Sequence, residues 1–262
     1  MPLLRTVRAT RYVTPLREGG SLPAVVEADD DGTYVLKFRG AGQGPKALIA
    51  ELVAGEIGRA LGLRVPELVF VELDPILGRS EPDFEIQALL KASAGLNLAL
   101  DFLPGSFDYN PVATPAPTAR IASEIVWFDA YITNVDRTVR NTNLLVWHRN
   151  LWLIDHGASL YFHHNWGDYL AASRGPFPAI KDHVLLRYAS ALAEVDAELP
   201  GRLTPELIRE IVAAIPDDWL AGESRFASLD EHRAAYCSYL LSRLAASATF
   251  VAEAQRARAL LV

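Results

Sequence analysis

One cysteine, Cys237, stands in 262 residues. That excludes an internal disulfide and suits a reducing compartment. It falls in an apolar helical stretch, where a packed thiol is the ordinary outcome and a nucleophile is not. No run of lysine and arginine occurs and the net charge is −7, so the chain lacks the basic face that nonspecific nucleic-acid binding needs. Helix-turn-helix and zinc-finger signals are missing as well. No stretch of about eighteen apolar residues is present. Met1-Pro2-Leu3-Leu4-Arg5 opens without an uninterrupted apolar core, so neither a membrane span nor a signal peptide is expected. No internal repeat is visible. The expectation is a cytoplasmic enzyme without nucleic-acid or membrane partners, long enough for two lobes that share a cleft.

What is present is concentrated between Asn134 and Gly157. Asn134-Val135-Asp136-Arg137-Thr138-Val139-Arg140-Asn141 places an Asn five positions after an Asp, and Leu153-Ile154-Asp155-His156-Gly157 places a second Asp at the end of an apolar run. Asp136 and Asn141 have the spacing of a phosphotransferase catalytic loop, in which the Asp orients an acceptor hydroxyl and the Asn binds metal. Asp155 before Gly157 has the form of the second metal-binding Asp. ATP phosphates are anionic, Mg²⁺ takes hard oxygen ligands, and an acceptor hydroxyl needs a carboxylate within hydrogen-bond reach. Each motif alone is most often a turn. Between them Leu144-Leu145-Val146-Trp147 and Leu151-Trp152-Leu153-Ile154, joined by His148-Arg149-Asn150, read as a hairpin that sets Asn141 beside Asp155.

The first third supplies candidates for the other side of a nucleotide. Ala24–Ala28 and Thr33–Phe38 are β-rich runs around the turn Asp29-Asp30-Asp31-Gly32. Gly19, Gly20 and Ser21 precede them and could admit phosphate to backbone N–H groups. Alternation sets Val35 and Lys37 on one face of the second strand, and Lys37 is the candidate phosphate-binding lysine. A helix is predicted from Pro45 to Leu61 with an apolar stripe of Ile49, Leu52, Val53, Ile57 and Ala60. Glu51 and Glu56 are both candidates for the acidic partner of Lys37; helical geometry slightly prefers Glu56, which falls on the stripe, over Glu51 beside it.

These residues together resemble the HipA-like kinases. The resemblance covers about residues 15–165 and rests on the strand ending in Lys37, on Ala50-Glu51-Leu52-Val53-Ala54 leading into Leu61-Gly62-Leu63-Arg64-Val65-Pro66, and on Asp136…Asn141 and Asp155. It implies an α+β, two-lobed protein-kinase-like fold, with a mixed β/α lobe over 1–103 and a mainly helical lobe over 104–262. It implies ATP and Mg²⁺ as cofactors and serine or threonine of a protein as acceptor. Residue by residue, Lys37 would hold ATP phosphates with Glu51 as its partner, Asp136 would be catalytic, and Asn141 and Asp155 would bind Mg²⁺. In kinase-like proteins the segment leaving the first lobe pairs with adenine, which places Asp101 and Leu103 at the nucleotide. The sequence departs from the pattern at His156, where the kinase signature has Phe, and at the short Gly19-Gly20 turn. It reads as a compact stand-alone member. A non-catalytic nucleotide-binding regulator and a small-molecule kinase of the aminoglycoside phosphotransferase type use the same residues and are the alternatives.

Elsewhere the sequence predicts a strand near 68–73, an ambiguous apolar segment Phe84–Leu90, and a departing segment Leu98–Gly105. A helix is predicted from Thr118 to Thr133 with Ile121, Ile125, Phe128 and Ile132 inward and Asp129 beside that stripe. Helices capped by Thr204 and Ser228 follow. His163-His164 lacks the third ligand of a metal site, since adjacent side chains diverge.

Overall fold

The computed structural model describes residues 4–16, 22–42, 44–79 and 81–261; Gly19, Gly20 and Ser21 lie outside them. Strands β1 (Thr6–Pro15), β2 (Ala24–Ala28) and β3 (Thr33–Lys37) lead to helix α1 (Pro45–Ala60). Strand β4 (Leu68–Leu73), helix α2 (Phe84–Ala92) and strand β5 (Gly95–Asp101) follow. The strands close into a barrel of order β1-β2-β3-β5-β4, sealed by parallel pairing of β1 with β4. Alternate residues fill it, among them Val26, Tyr34, Leu36, Val71 and Ala99, and α2 adds Ile86 and Leu90. Tyr34 and Leu36 therefore point inward and Lys37 points out, as the period of two requires.

Two elements differ from the sequence expectation, and a third settles an open alternative. β1 has no strand signal, because only Val7 and Ala9 are buried and two register shifts against β2 break its alternation. Leu98–Asp101 belongs to the barrel, paired on both sides by β3 and β4, so the chain leaves the sheet only at Phe102. Phe84–Ala92 is helical, started by the Asp83 carboxylate accepting from the Glu85 N–H at 3.0 Å.

The second half is mainly helical. It contains β6 (Phe107–Asp108), α3 (Ala119–Tyr131), β7 (Leu144–Trp147), β8 (Asn150–Leu153), α4 (Tyr169–Ser173), α5 (Leu192–Glu198), α6 (Pro205–Ala213), α7 (Asp217–Leu220), α8 (Leu229–Ala245) and α9 (Ser247–Arg258). Thr118, Thr204 and Ser228 cap α3, α6 and α8 through their side-chain oxygens. β7 and β8 form the expected hairpin, with Trp147 opposite Asn150 and a two-residue turn. Both turn residues, His148 and Arg149, have positive φ, the twist that matches a tight hairpin. Arg243, fully buried, donates to the carbonyls of Ala130 and Tyr131 and satisfies the end of α3. Cys237 is half-buried and packs against the core, and burial raises its thiol pKa. Among the described residues no helix is long and apolar enough to cross a membrane.

Helix α1 is buried on every face from Leu48 to Gly58, not along one stripe, because it packs against β4 and β5 of the barrel and against α6 and α7. Close approach is set by small residues. A methyl on Gly58 would sit 3.0 Å from a Val65 methyl and 3.2 Å from the Phe128 ring. In an isolated helix Gly→Ala gains roughly 1 kcal/mol. Here overpacking costs about 1–3 kcal/mol and Phe128 is fully buried. Gly58→Ala is therefore expected to lower stability by about 1 kcal/mol, read from the denaturant midpoint. A raised midpoint would show that the contact yields.

Candidate active site

Three elements bring charge to one point. Lys37 ends β3, Glu51 lies in the second turn of α1, and Asp155 follows β8. The Lys37 ammonium donates to Asp155 Oδ1 at 2.5 Å and lies 3.4 Å from Glu51 Oε2. Glu51, and not Glu56, is thus the acid beside Lys37; Glu56 pairs with Arg59 at 3.4 Å. Burial alone would lower the Lys37 pKa, but the charges of Glu51 and Asp155 reverse this and hold it raised. Burial likewise opposes ionisation of Glu51, yet the Lys37 charge and hydrogen bonds from His156 lower its pKa to about 2.

His156, the residue that departs from the kinase signature, explains the rest of the Glu51 environment. Its backbone N–H donates to Glu51 Oε2 at 2.9 Å, and its Nδ1 lies 3.2 Å from Oε1. The imidazole is fully buried, edge-on to Phe128. Sequence alone marked this position as an oddity; the structure makes it a clasp between α1 and the Asp155 segment. Asp155 itself has φ +55°, a left-handed conformation that Asp tolerates and that is common where function dictates geometry.

The loop carrying Asp136 is held from below. Asp129, on α3 and fully buried, accepts from Arg137 Nε at 2.6 Å, from Asn134 Nδ2 at 2.9 Å and from His183 Nε2 at 2.9 Å. His183 Nδ1 accepts the Leu185 N–H at 3.0 Å, which places the ring proton on Nε2, facing Asp129. Buried Arg137 also donates to the carbonyls of Asn143 and Ile154. It thereby ties the loop to the residue before Asp155. Desolvation would raise the Asp129 pKa, but Arg137 and His183 hold it far below the usual carboxylate range.

Above this base, Asp136 Oδ2 accepts from Asn141 Nδ2 at 2.7 Å and from Asn143 Nδ2 at 3.4 Å. The bond from Ile154 N–H to Asn143 O, 3.1 Å, continues the β7–β8 ladder and draws the Asn141 and Asp155 segments to one end of the hairpin. Asp136 is half-buried and Asn141 exposed, while the Asp155 side chain is 40% exposed. Asn141 thus turns its amide nitrogen to Asp136, and Asp155 keeps Oδ2 beside the oxygen that Lys37 engages. The Asp155 carboxylate and the Asn141 amide oxygen are hard oxygen donors of the kind Mg²⁺ takes, with phosphate oxygens and water to complete a shell. No group of three His, Cys, Asp or Glu that could hold a metal alone exists among the described residues. His163 is buried with Nδ1 3.0 Å from the Tyr236 hydroxyl.

At the expected adenine-pairing segment, the Asp101 N–H donates to Glu67 O at 2.8 Å and the Phe102 N–H to Thr33 O at 3.0 Å. Both are spent within the barrel. Asp101 is exposed, its carboxyl pKa raised by desolvation and by Glu67, and Leu103 is buried where the chain leaves the sheet.

The profile described as HipA-like kinase matches residues 10–250. No curated protein matches. Among solved structures, the Helicobacter pylori proinflammatory kinase CtkA aligns over 98% of this chain and 99% of its own, with 13% identity and a TM-score of 0.58. The Golgi casein kinase with Mn/ADP bound aligns over 100% of this chain and 75% of its own, with 13% identity and a TM-score of 0.49.

Two expectations follow from the buried charges. Asp129→Ala leaves Arg137 uncompensated in the interior and is expected to cost about 3–5 kcal/mol, measured by chemical denaturation. A loss below 1 kcal/mol would show that Arg137 finds water instead. For Glu51, the folded state holds the carboxyl below its ordinary 4.5, near 2. Its contribution to stability is therefore complete above about pH 4.5 and is lost as the pH falls towards 2. Glu51→Gln should flatten the stability–pH curve in that window, and an unchanged acid limb would remove Glu51 as its cause.

Proposed function

The chain belongs to the HipA-like kinase family and is a kinase; from that premise we propose that it transfers the γ-phosphoryl group of ATP, with Mg²⁺, to a serine or threonine hydroxyl of a protein. The observation that carries this reading is the convergence of Lys37 from β3, Glu51 from α1 and Asp155 from the end of β8 within 3.4 Å. Lys37, oriented by Glu51, would bind ATP phosphates. Asn141 and Asp155 would hold Mg²⁺, which supplies charge neutralisation at the phosphates when bound. The Leu103 N–H, rather than that of Asp101, is the better partner for adenine, because the Asp101 and Phe102 amides already serve the barrel and the Leu103 carbonyl accepts from Ser106. Gly19, Gly20 and Ser21 remain candidates for covering the phosphates. The lone cysteine suits a reducing cytoplasm.

Asp136 would accept a hydrogen bond from the acceptor hydroxyl. As the new O–P bond forms and the β–γ bridging bond breaks, ADP leaves and the hydroxyl proton passes through Asp136 to solvent. Asn141 and Asn143 both donate to Oδ2, which would leave Oδ1 for the acceptor.

Incubation with labelled ATP and Mg²⁺, read as autophosphorylation or as transfer to an acceptor, tests the proposal. Asp136→Asn keeps shape and loses charge, so ATP affinity should hold while transfer falls about 10²–10⁴-fold, the usual worth of a positioned base. Asp155→Ala should instead abolish Mg²⁺-dependent ATP binding with the fold intact. Full transfer by the Asp136 variant would remove that residue from the mechanism. Absence of ATP binding by the unmutated protein would remove ATP as the donor.

A further inference from the structure

A cavity of about 960 Å³ lies between the β7–β8 hairpin, the segment from Phe107 to Thr118, the start of α3 and the loop Gly62-Leu63-Arg64. None of Lys37, Glu51, Asp136, Asn141 and Asp155 lines it. Leu63, Ile121, Ile125, Val146 and Leu151 give it an apolar surface. Phe107 and Ile121 on that surface are 60% and 43% exposed.

One wall is an open strand edge. Trp147 and Asn150 close the two-residue turn, so the ladder alternates from that pair. Ile154 N–H faces β7 and bonds Asn143 O, whereas Leu153 N–H faces away and bonds Arg64 O at 2.8 Å. The same alternation turns the N–H and C=O of Leu151 outward, on the edge that borders the cavity. Arg64 and Arg149, both exposed, stand at the two ends of this edge. Neither pairs with a carboxylate among the described residues. Of the acids lining the cavity, Glu124 is held by Arg120 at 2.6 Å, and Asp108 lies on β6, beyond β7 from this edge.

We propose that this cavity docks an extended segment of the protein that the kinase phosphorylates. The segment adds as a strand to β8, exchanging hydrogen bonds with Leu151. It seats an aliphatic side chain on Ile121 and Ile125 and places acidic residues at Arg64 and Arg149. Main-chain bonds give affinity and the apolar surface and the two guanidinium groups give selectivity. The identity of the occupant as acceptor rests on the kinase reading above; the binding itself does not.

The test is fluorescence anisotropy without nucleotide, using a labelled hexapeptide of aliphatic residues flanked by glutamates and its lysine-flanked counterpart. The glutamate-flanked peptide should bind and the other should not. Arg64→Glu with Arg149→Glu should weaken binding about tenfold or more. Leu151→Pro removes the outward N–H without touching the ladder to β7, as an edge position permits, and should weaken binding similarly, while Leu151→Val should not. Unfolding midpoints identify any variant that fails to fold, and in that case the Arg variants alone decide. Preference for the lysine-flanked peptide, full binding by folded Leu151→Pro, or no binding of either peptide would overturn the proposal. A protein that binds the peptide but transfers no phosphate would overturn the kinase reading instead, and an active kinase that ignores the peptide would overturn only the groove.

Discussion

A single buried carboxylate, Asp129, sets the geometry on which the site depends. A charge in a protein interior is costly unless every lone pair is used, and here Arg137, Asn134 and His183 use them. Two of those partners lie in the loop that carries Asp136, and the third is brought in from the segment before Leu185. Once Arg137 is committed to Asp129, its remaining donors reach the Asn143 and Ile154 carbonyls. The positions of the Asp136 loop, the β7–β8 hairpin and Asp155 are therefore consequences of one satisfied charge. Arg243 does related work at the neighbouring end of α3, with carbonyls in place of carboxylates.

The local parts of this arrangement were legible in the sequence. Alternation separates Lys37 from the face of Leu36, capping residues mark α3, α6 and α8, and Asp136, Asn141 and Asp155 lie on the segments that flank one hairpin, as their spacing suggests. What stayed illegible depends on distant partners. Arg137 sits between two site residues and looks like an exposed loop cation. Asp129 stands in the sequence only as an acid beside an apolar stripe, and His183 is 54 positions away from it. The one available signal was an acid within an apolar helix, which calls for a buried partner without naming it. β1 escaped because its bulges erase the period of two. Helical periodicity leans to Glu56 and misleads, because α1 has no solvent face to establish a stripe.

His156 changes how the two halves of the site communicate. A phenylalanine could fix the Asp155 segment by packing and by its backbone N–H, but would leave Glu51 Oε1 without the ring. The histidine packs against Phe128 and also engages both oxygens of Glu51, through backbone and ring. Lys37 then sees a carboxylate already oriented by the Asp155 segment itself. The pairing of lysine and glutamate and the placement of the second aspartate are parts of one hydrogen-bonded unit.

Helix α1 carries a consequence for how such a sequence can drift. Enclosed between the barrel and α6 and α7, it offers no exposed position between Leu48 and Gly58 at which a neutral substitution could accumulate. Change there must be matched by change in Leu68, Val65 or Phe128, which crowd its glycines. Ancestry in this fold should therefore be recorded most durably in a helix whose enclosed stretch, Leu48 to Gly58, has Glu51 and Glu56 as its only charged side chains, while the Arg- and Thr-rich β1 is free to lose every trace of its origin.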